Sequence, residues 1–233
     1  MAEGNSSKAD QLKDAVSGKR KPKGDIKFNV QLNEEQKLGK AIILDSEIII
    51  ITGPPGCGKS LLVAQTSLDL LFRSEVDKVF VTRPTQQVGQ SLGYLPGQLS
   101  DKLDPYLEPF KDNLYNCYDR TKIDTMIKDD KIEGTAIQFI RGRTYGKGRL
   151  LVVDEAQNTT KAEMLAILTR LGKGGKIIII GDVSQKDISD QFDGLSYVIN
   201  MSKKLPDIKL IKLHENHRSD LVAKILEYEY GSM

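Results

Sequence analysis

The sequence predicts an α/β fold, a mainly parallel sheet with helices on both faces, and three observations carry that expectation. Short, continuously apolar runs rich in Ile and Val alternate with segments of helical periodicity, as in strands buried on both faces and joined by crossover helices. One glycine-rich turn, from Gly53 to Ser60, stands between such a run and such a helix. Over 233 residues, 39% hydrophobic and 28% charged side chains supply one globular core, which excludes wholesale disorder and collagen-like repeats.

In chain order, residues 1–25 are rich in Ser, Gly, Lys and Asp, with a basic cluster at Lys19, Arg20, Lys21 and Lys23, and read as a disordered arm. One folded domain is expected over 26–233. Strands are expected at 47–52, 78–82, 136–140, 149–153 and 176–180, with a sixth at 208–213. Helices are expected at 59–72, 105–118, 121–128, 161–171 and 221–230. The second begins where Asp104 suits an N-cap and Pro105 the first helical position, and its Leu103, Leu107, Phe110 and Leu114, with Tyr106 and Tyr118, recur as a core-facing stripe. The fourth has Thr160 and Glu163 as a capping box, an apolar stripe of Met164, Leu165, Leu168 and Leu171, and Gly172 as its stop.

Gly53-Pro54-Pro55-Gly56-Cys57-Gly58-Lys59-Ser60, followed by Leu61, satisfies GxxxxGK[ST] in the strand-to-helix context the motif requires. Glycines let successive N–H groups converge, the helix N-terminus adds partial positive charge and Lys59 a full one, so a triphosphate is the natural ligand. Ser60 would place its hydroxyl on Mg²⁺. A random chain of this length contains such a match on the order of once in a hundred, which weighs against a chance turn. Cys57 reads as a small residue that fits the loop.

The apolar run at 150–153 ends in Asp154-Glu155. In that arrangement the first carboxylate holds Mg²⁺ through water and the second activates the attacking water, which favours hydrolysis over phosphotransfer to a substrate hydroxyl. The run at 177–180 ends in Gly181-Asp182-Val183-Ser184-Gln185, placing Gln185 at the carboxyl edge where ligands bind in parallel sheets; Gln185 and Gln157 are amides suited to sensing a γ-phosphate.

Charge narrows the partners. With 34 basic and 32 acidic side chains the net charge is +2, so nucleic-acid contact must rest on a local patch. Arg141, Arg143, Tyr145, Lys147 and Arg149 alternate with glycines and suit phosphates and one stacked base, with Arg83 on the same sheet edge. The alternative is an exposed basic hairpin. His214 and His217, spaced i, i+3, lack the HExxH pattern of a zinc site and read as turn or surface residues. No apolar stretch has the ~18 residues of a membrane span, and two distant cysteines, Cys57 and Cys117, support no disulfide framework, so a cytoplasmic protein without membrane contact is expected.

Together the phosphate loop, Val81-Thr82-Arg83-Pro84, residues 92–97, 104–109 and 139–144, Asp154 to Thr160, residues 169–172 and Gly181 to Gln185 resemble the PhoH family of phosphate-starvation-inducible ATPases, in that family's order. The resemblance implies a RecA-like P-loop NTPase core with a helical insertion, akin to the amino-terminal half of superfamily 1 helicases, with ATP as ligand and a link to RNA. It also implies that Gln36, in Leu32 to Gln36, reads adenine, and that Arg218, in Leu213 to Ser219, is a γ-phosphate arginine.

The expected function is therefore ATP hydrolysis with Mg²⁺, coupled to RNA or single-stranded DNA. Lys59, Asp154, Glu155, Gln185 and Arg218 form the catalytic set. The alternatives are an ATP-gated nucleic-acid-binding module with negligible hydrolysis and a small-molecule kinase, for which no acceptor site is visible. Because the length holds one such core and related helicases close their site between two, a ring-like homo-oligomer, a hexamer for instance, is expected to complete it.

Overall fold

The computed structural model describes residues 26–84, 99–185 and 193–215, together with Tyr228. In chain order the elements are α1 (Glu34–Asp45), β1 (Ile48–Thr52), α2 (Lys59–Phe72), β2 (Lys78–Thr82), α3 (Leu99–Cys117), α4 (Arg120–Lys128), β3 (Ile132–Gly134), α5 (Ile137–Ile140), β4 (Arg149–Val153), a 3-10 turn (Ala156–Asn158), α6 (Lys161–Leu168), β5 (Lys176–Gly181), α7 (Gly194–Ser202) and β6 (Ile208–Lys212). The six strands form one sheet in the order β3-β2-β4-β5-β1-β6, and all five pairings are parallel. The expected α/β class with a parallel sheet is what the structure shows.

The apolar runs explain the two-sided core. Alternate residues of each strand point to opposite faces. Ile49, Ile51, Val79, Val81, Leu150, Val152, Ile178 and Ile180 join Leu62, Leu68, Phe110 and Leu114 on the face covered by α2 and α3. Ile50, Phe80, Leu151, Val153, Ile177 and Ile179 pack with Met164, Ile167, Leu195 and Val198 on the face covered by α6 and α7. Burying each Ile or Val stabilises the fold by about 1.5–3 kcal/mol, so a strand cannot slip register without losing both faces.

Local chemistry sets the ends. Asn33 and Gln36 form a capping box on α1, and Thr160 and Glu163 form the expected one on α6. The half-buried Lys176 ammonium donates to the carbonyls of Ile43, Leu44 and Ser46, closing the carboxyl end of α1.

Several expected bounds are corrected. Residues 136–140 form no strand; the edge strand is Ile132–Gly134, paired with β2, and Ile137–Ile140 turn as a short helix that buries Ile137 and Ile140 while Phe139 stays 43% exposed. The second helix starts at Leu99 and runs through Pro105: a proline inside a helix costs its own N–H bond, and burial of the stripe of Tyr106, Leu107, Phe110 and Leu114 offsets that cost. Helix α6 stops at Leu168: Leu171 leaves it to form a parallel bridge with Tyr145, and Leu165 is 44% exposed, the buried face being Met164 and Ile167. The expected arm at 1–25, the block at 92–97 and the helix at 221–230 lie outside the described residues, apart from Tyr228.

Candidate functional site

Strand order places the site. Strand β5 separates β1, which leads into the phosphate loop, from β4, which ends at Asp154, so three carboxyl ends open side by side. There a cavity of about 290 Å³ is lined by the loop residues Pro55 to Ser60 other than Cys57, by Leu61, by Asp154 and Glu155, and by Ile180 to Gln185 other than Val183 and Ser184. Asn113 of α3 lines it as well. No local motif in the sequence marks Asn113; only the packing of α3 beside α2 brings it there.

The loop conformation needs its glycines. A Cβ at Gly53 would lie 2.2 Å from the Leu213 carbonyl oxygen, and Gly58, at φ +80°, caps α2 in the left-handed region. The Lys59 ammonium donates to the carbonyls of Gly53 at 2.6 Å and Pro54 at 2.9 Å, which holds it at the centre of the loop. Cys57 is buried, and burial pushes its thiol above the usual range despite nearby Lys59, in keeping with a packing role.

Asp154 is 8% exposed, and burial, then the charge of Glu155, push its carboxyl up to about 6, against the opposing influence of Arg83 and Lys59. Glu155 stands at φ +52°, a left-handed conformation that is uncommon for a non-glycine residue and that concentrates at functional sites. Its Oε2 accepts from Gln157 Nε2 at 2.5 Å, while the Gln157 carbonyl oxygen accepts from the Asp182 amide at 3.1 Å. Gln157 thus ties the acids to the end of β5 and is not a free sensor. Asp182 Oδ1 accepts from the Ser184 amide and hydroxyl, and its buried Oδ2 has no hydrogen-bond partner among the described residues. A desolvated carboxylate with a raised pKa, a second buried carboxylate oxygen without a partner and the Ser60 hydroxyl form an all-oxygen donor set that suits a hard divalent cation.

Other expectations change. Gln36 is 3% exposed and engaged at both ends: its carbonyl oxygen accepts from the Asn33 amide at 3.2 Å, and its Nε2 donates to the Cys57 carbonyl at 3.4 Å. It links the α1 cap to the phosphate loop, so in this conformation its amide is not turned to a base. Its neighbour Glu35 accepts from the His214 amide and ring and from the Glu215 amide. Burial raises the Glu35 carboxyl, but these hydrogen bonds outweigh it and leave the group below its usual range.

Tyr145, expected to stack on a base, is fully buried, edge-on to Phe80, and Arg143 pairs with Glu133 at 3.0 Å with its guanidinium over Phe80. Residues 141–149 are therefore a strap pinned to Leu171 and Gly172, not a free basic hairpin, and they end at Arg149, at the start of β4 and opposite the cavity. Arg141 remains exposed, Arg83 stands beside Glu155, and Arg218 lies outside the described residues.

Residues 30–229 match the family described as PhoH-like protein. The chain is 38% identical over 185 residues to a PhoH-like protein of Bacillus subtilis (strain 168), covering 78% of this chain and 58% of that protein. It is 37% identical over 184 residues to one of Synechocystis sp., covering 78% and 56%. The chain thus spans a little over half the length of these curated relatives. Among solved structures, the large terminase from a thermophilic bacteriophage superposes with a TM-score of 0.51 at 13% identity, over 88% of this chain and 52% of that one, a likeness of fold alone. Matched over most of its length by the family and by these relatives, the chain belongs to the PhoH family.

Proposed function

We propose that the chain binds ATP with Mg²⁺ in this cavity and hydrolyses it, with single-stranded nucleic acid as the coupled partner. The observation that carries the reading is the convergence, in one cavity, of a phosphate loop at the amino end of α2, the Asp154-Glu155 pair and the end of β5 through Gln185. The loop amides and Lys59 bind and orient the phosphates and stabilise charge that grows on the transferring group. Ser60 and Asp154 would hold Mg²⁺, which when bound neutralises phosphate oxygens. Glu155 accepts a proton from water at its carboxylate, and Gln185 reports the γ-phosphate. In this reading Arg218 completes the site of a neighbouring copy in a head-to-tail homo-oligomer.

The test is steady-state phosphate release. Lys59→Ala and Glu155→Gln are expected to fall at least about a hundredfold, the scale of a lost general base, while Glu155→Gln still binds ATP. Full activity in Glu155→Gln removes it as the base. One observation favours a second reading, an ATP-gated nucleic-acid-binding module with negligible hydrolysis: both Glu155 carboxylate oxygens already face a partner, Gln157 and Arg83. ATP-dependent retention of RNA without phosphate release would select it.

A further inference from the structure

Strands β2 and β4 run in register with Thr82 opposite Val153, and the Asp154 amide donates to the Thr82 carbonyl at 2.9 Å. One residue further on, Arg83 leaves one strand where the acidic pair leaves the other. Arg83 Nη2 lies 3.6 Å from Glu155 Oε1, while Oε2 is held by Gln157.

The two holds differ in kind. Gln157 is 1% exposed and fixed at its other end by the Asp182 amide, so its grip belongs to the folded frame. The Arg83 and Glu155 side chains keep 37% and 35% of their exposure, and Arg83 makes no hydrogen bond among the described residues. Such a pair shifts a population by at most about fivefold, the equivalent of about 1 kcal/mol. It is strong enough to turn the Oε1 atom of Glu155 toward the rim and weak enough to be displaced. A phosphodiester displaces it readily, because its oxygens accept two parallel N–H bonds from a guanidinium whose planar fork matches them.

We propose that Arg83 is a positioning residue that restrains Glu155 and that a backbone phosphate of single-stranded nucleic acid withdraws it, freeing Oε1 to take a proton from the attacking water. The proposal rests on the hydrolytic reading above and names the contact through which the partner acts. It reassigns Arg83 from a bare phosphate contact to the link between two sites.

The experiment measures phosphate release and ATP binding for wild type, Arg83→Gln and Arg83→Lys, each alone, with poly(U) RNA and with oligo(dT) DNA. Arg83→Gln is expected to raise kcat without nucleic acid by about two- to fivefold, to leave KM for ATP within about twofold and to lose most of the stimulation. Arg83→Lys keeps the cation, so its unstimulated rate rises less than that of Arg83→Gln, but it loses the fork and so is stimulated less than wild type. Stimulation by only one polymer identifies the source of the phosphate. An unstimulated rate in Arg83→Gln at or below that of an active wild type overturns the restraint, as does a raised rate in Arg83→Lys equal to that in Arg83→Gln. Wild-type stimulation by neither polymer overturns the nucleic-acid release. If all three proteins bind ATP and none releases phosphate, the hydrolytic reading has failed and the restraint with it.

Discussion

Replacing Asp154 by Asn should make the nucleotide-free protein more stable at alkaline pH while abolishing the proposed Mg²⁺-dependent hydrolysis. The Asp154 carboxyl ordinarily titrates at 3.8, and burial followed by the Glu155 charge raises it to about 6 in the fold. The native state therefore binds more protons than the unfolded chain between those values, so stability falls as pH rises through that window and the loss is complete above about 6. At about 1.4 kcal/mol per tenfold, the separation between the two values corresponds to about 3 kcal/mol at pH 8. For a domain of this size that is a rise of about 6–12 °C in Tm for Asp154→Asn over wild type. The assay is thermal unfolding of both proteins at pH 8 and pH 4; the gap should open at pH 8 and close at pH 4, where the carboxyl is largely protonated in the fold. Adding Mg²⁺ and ATP should stabilise wild type and leave the variant behind, since a ligand stabilises only the state that binds it. An Asp154→Asn protein no more stable than wild type at pH 8 would refute the claim that this carboxylate is held desolvated for a cation.

Two further predictions concern the frame around the site. Thr160→Ala removes the hydroxyl that accepts from the Glu163 amide at 3.2 Å and should cost about 1 kcal/mol in urea unfolding with no change in m-value. Gly175→Ala places a Cβ 1.8 Å from the Tyr145 carbonyl oxygen, where only backbone can yield, and should cost about 3 kcal/mol, whereas Gly142→Ala, with nothing within 4 Å, should be neutral in the same measurement.

The residues that can be read in sequence are those whose job is local. The phosphate loop needs glycines at fixed offsets, a capping box needs Thr and Glu three apart, and helix 59–72 is recovered at both ends because strand, loop and helix signals coincide there. Residues 136–140 mislead because a five-residue segment with four apolar side chains is too short to show a periodicity of its own; Ile137 and Ile140 at i, i+3 suit one helical turn as well as a strand, and the choice lies with β3 having taken the place beside β2. Tyr145 reads as a stacking residue because cations and glycines surround it, yet the packing of Phe80 and Leu171 decides which way the ring turns. Gln36 is legible as part of a motif but not as a strut to the Cys57 carbonyl. The meeting of Arg83 with Glu155, 72 positions apart, follows from strand register, which no single segment encodes.

Glu155 is proposed as the base in an ATP site built by the loop at Lys59 and Ser60. Its most direct test is a single turnover: enzyme in excess over labelled ATP with Mg²⁺, quenched over time, for wild type and Glu155→Gln. Wild type is expected to convert bound ATP to ADP and phosphate, and Glu155→Gln to cleave the same bound ATP at least about a hundredfold more slowly. Equal cleavage in the two proteins, with equal nucleotide bound, would contradict it.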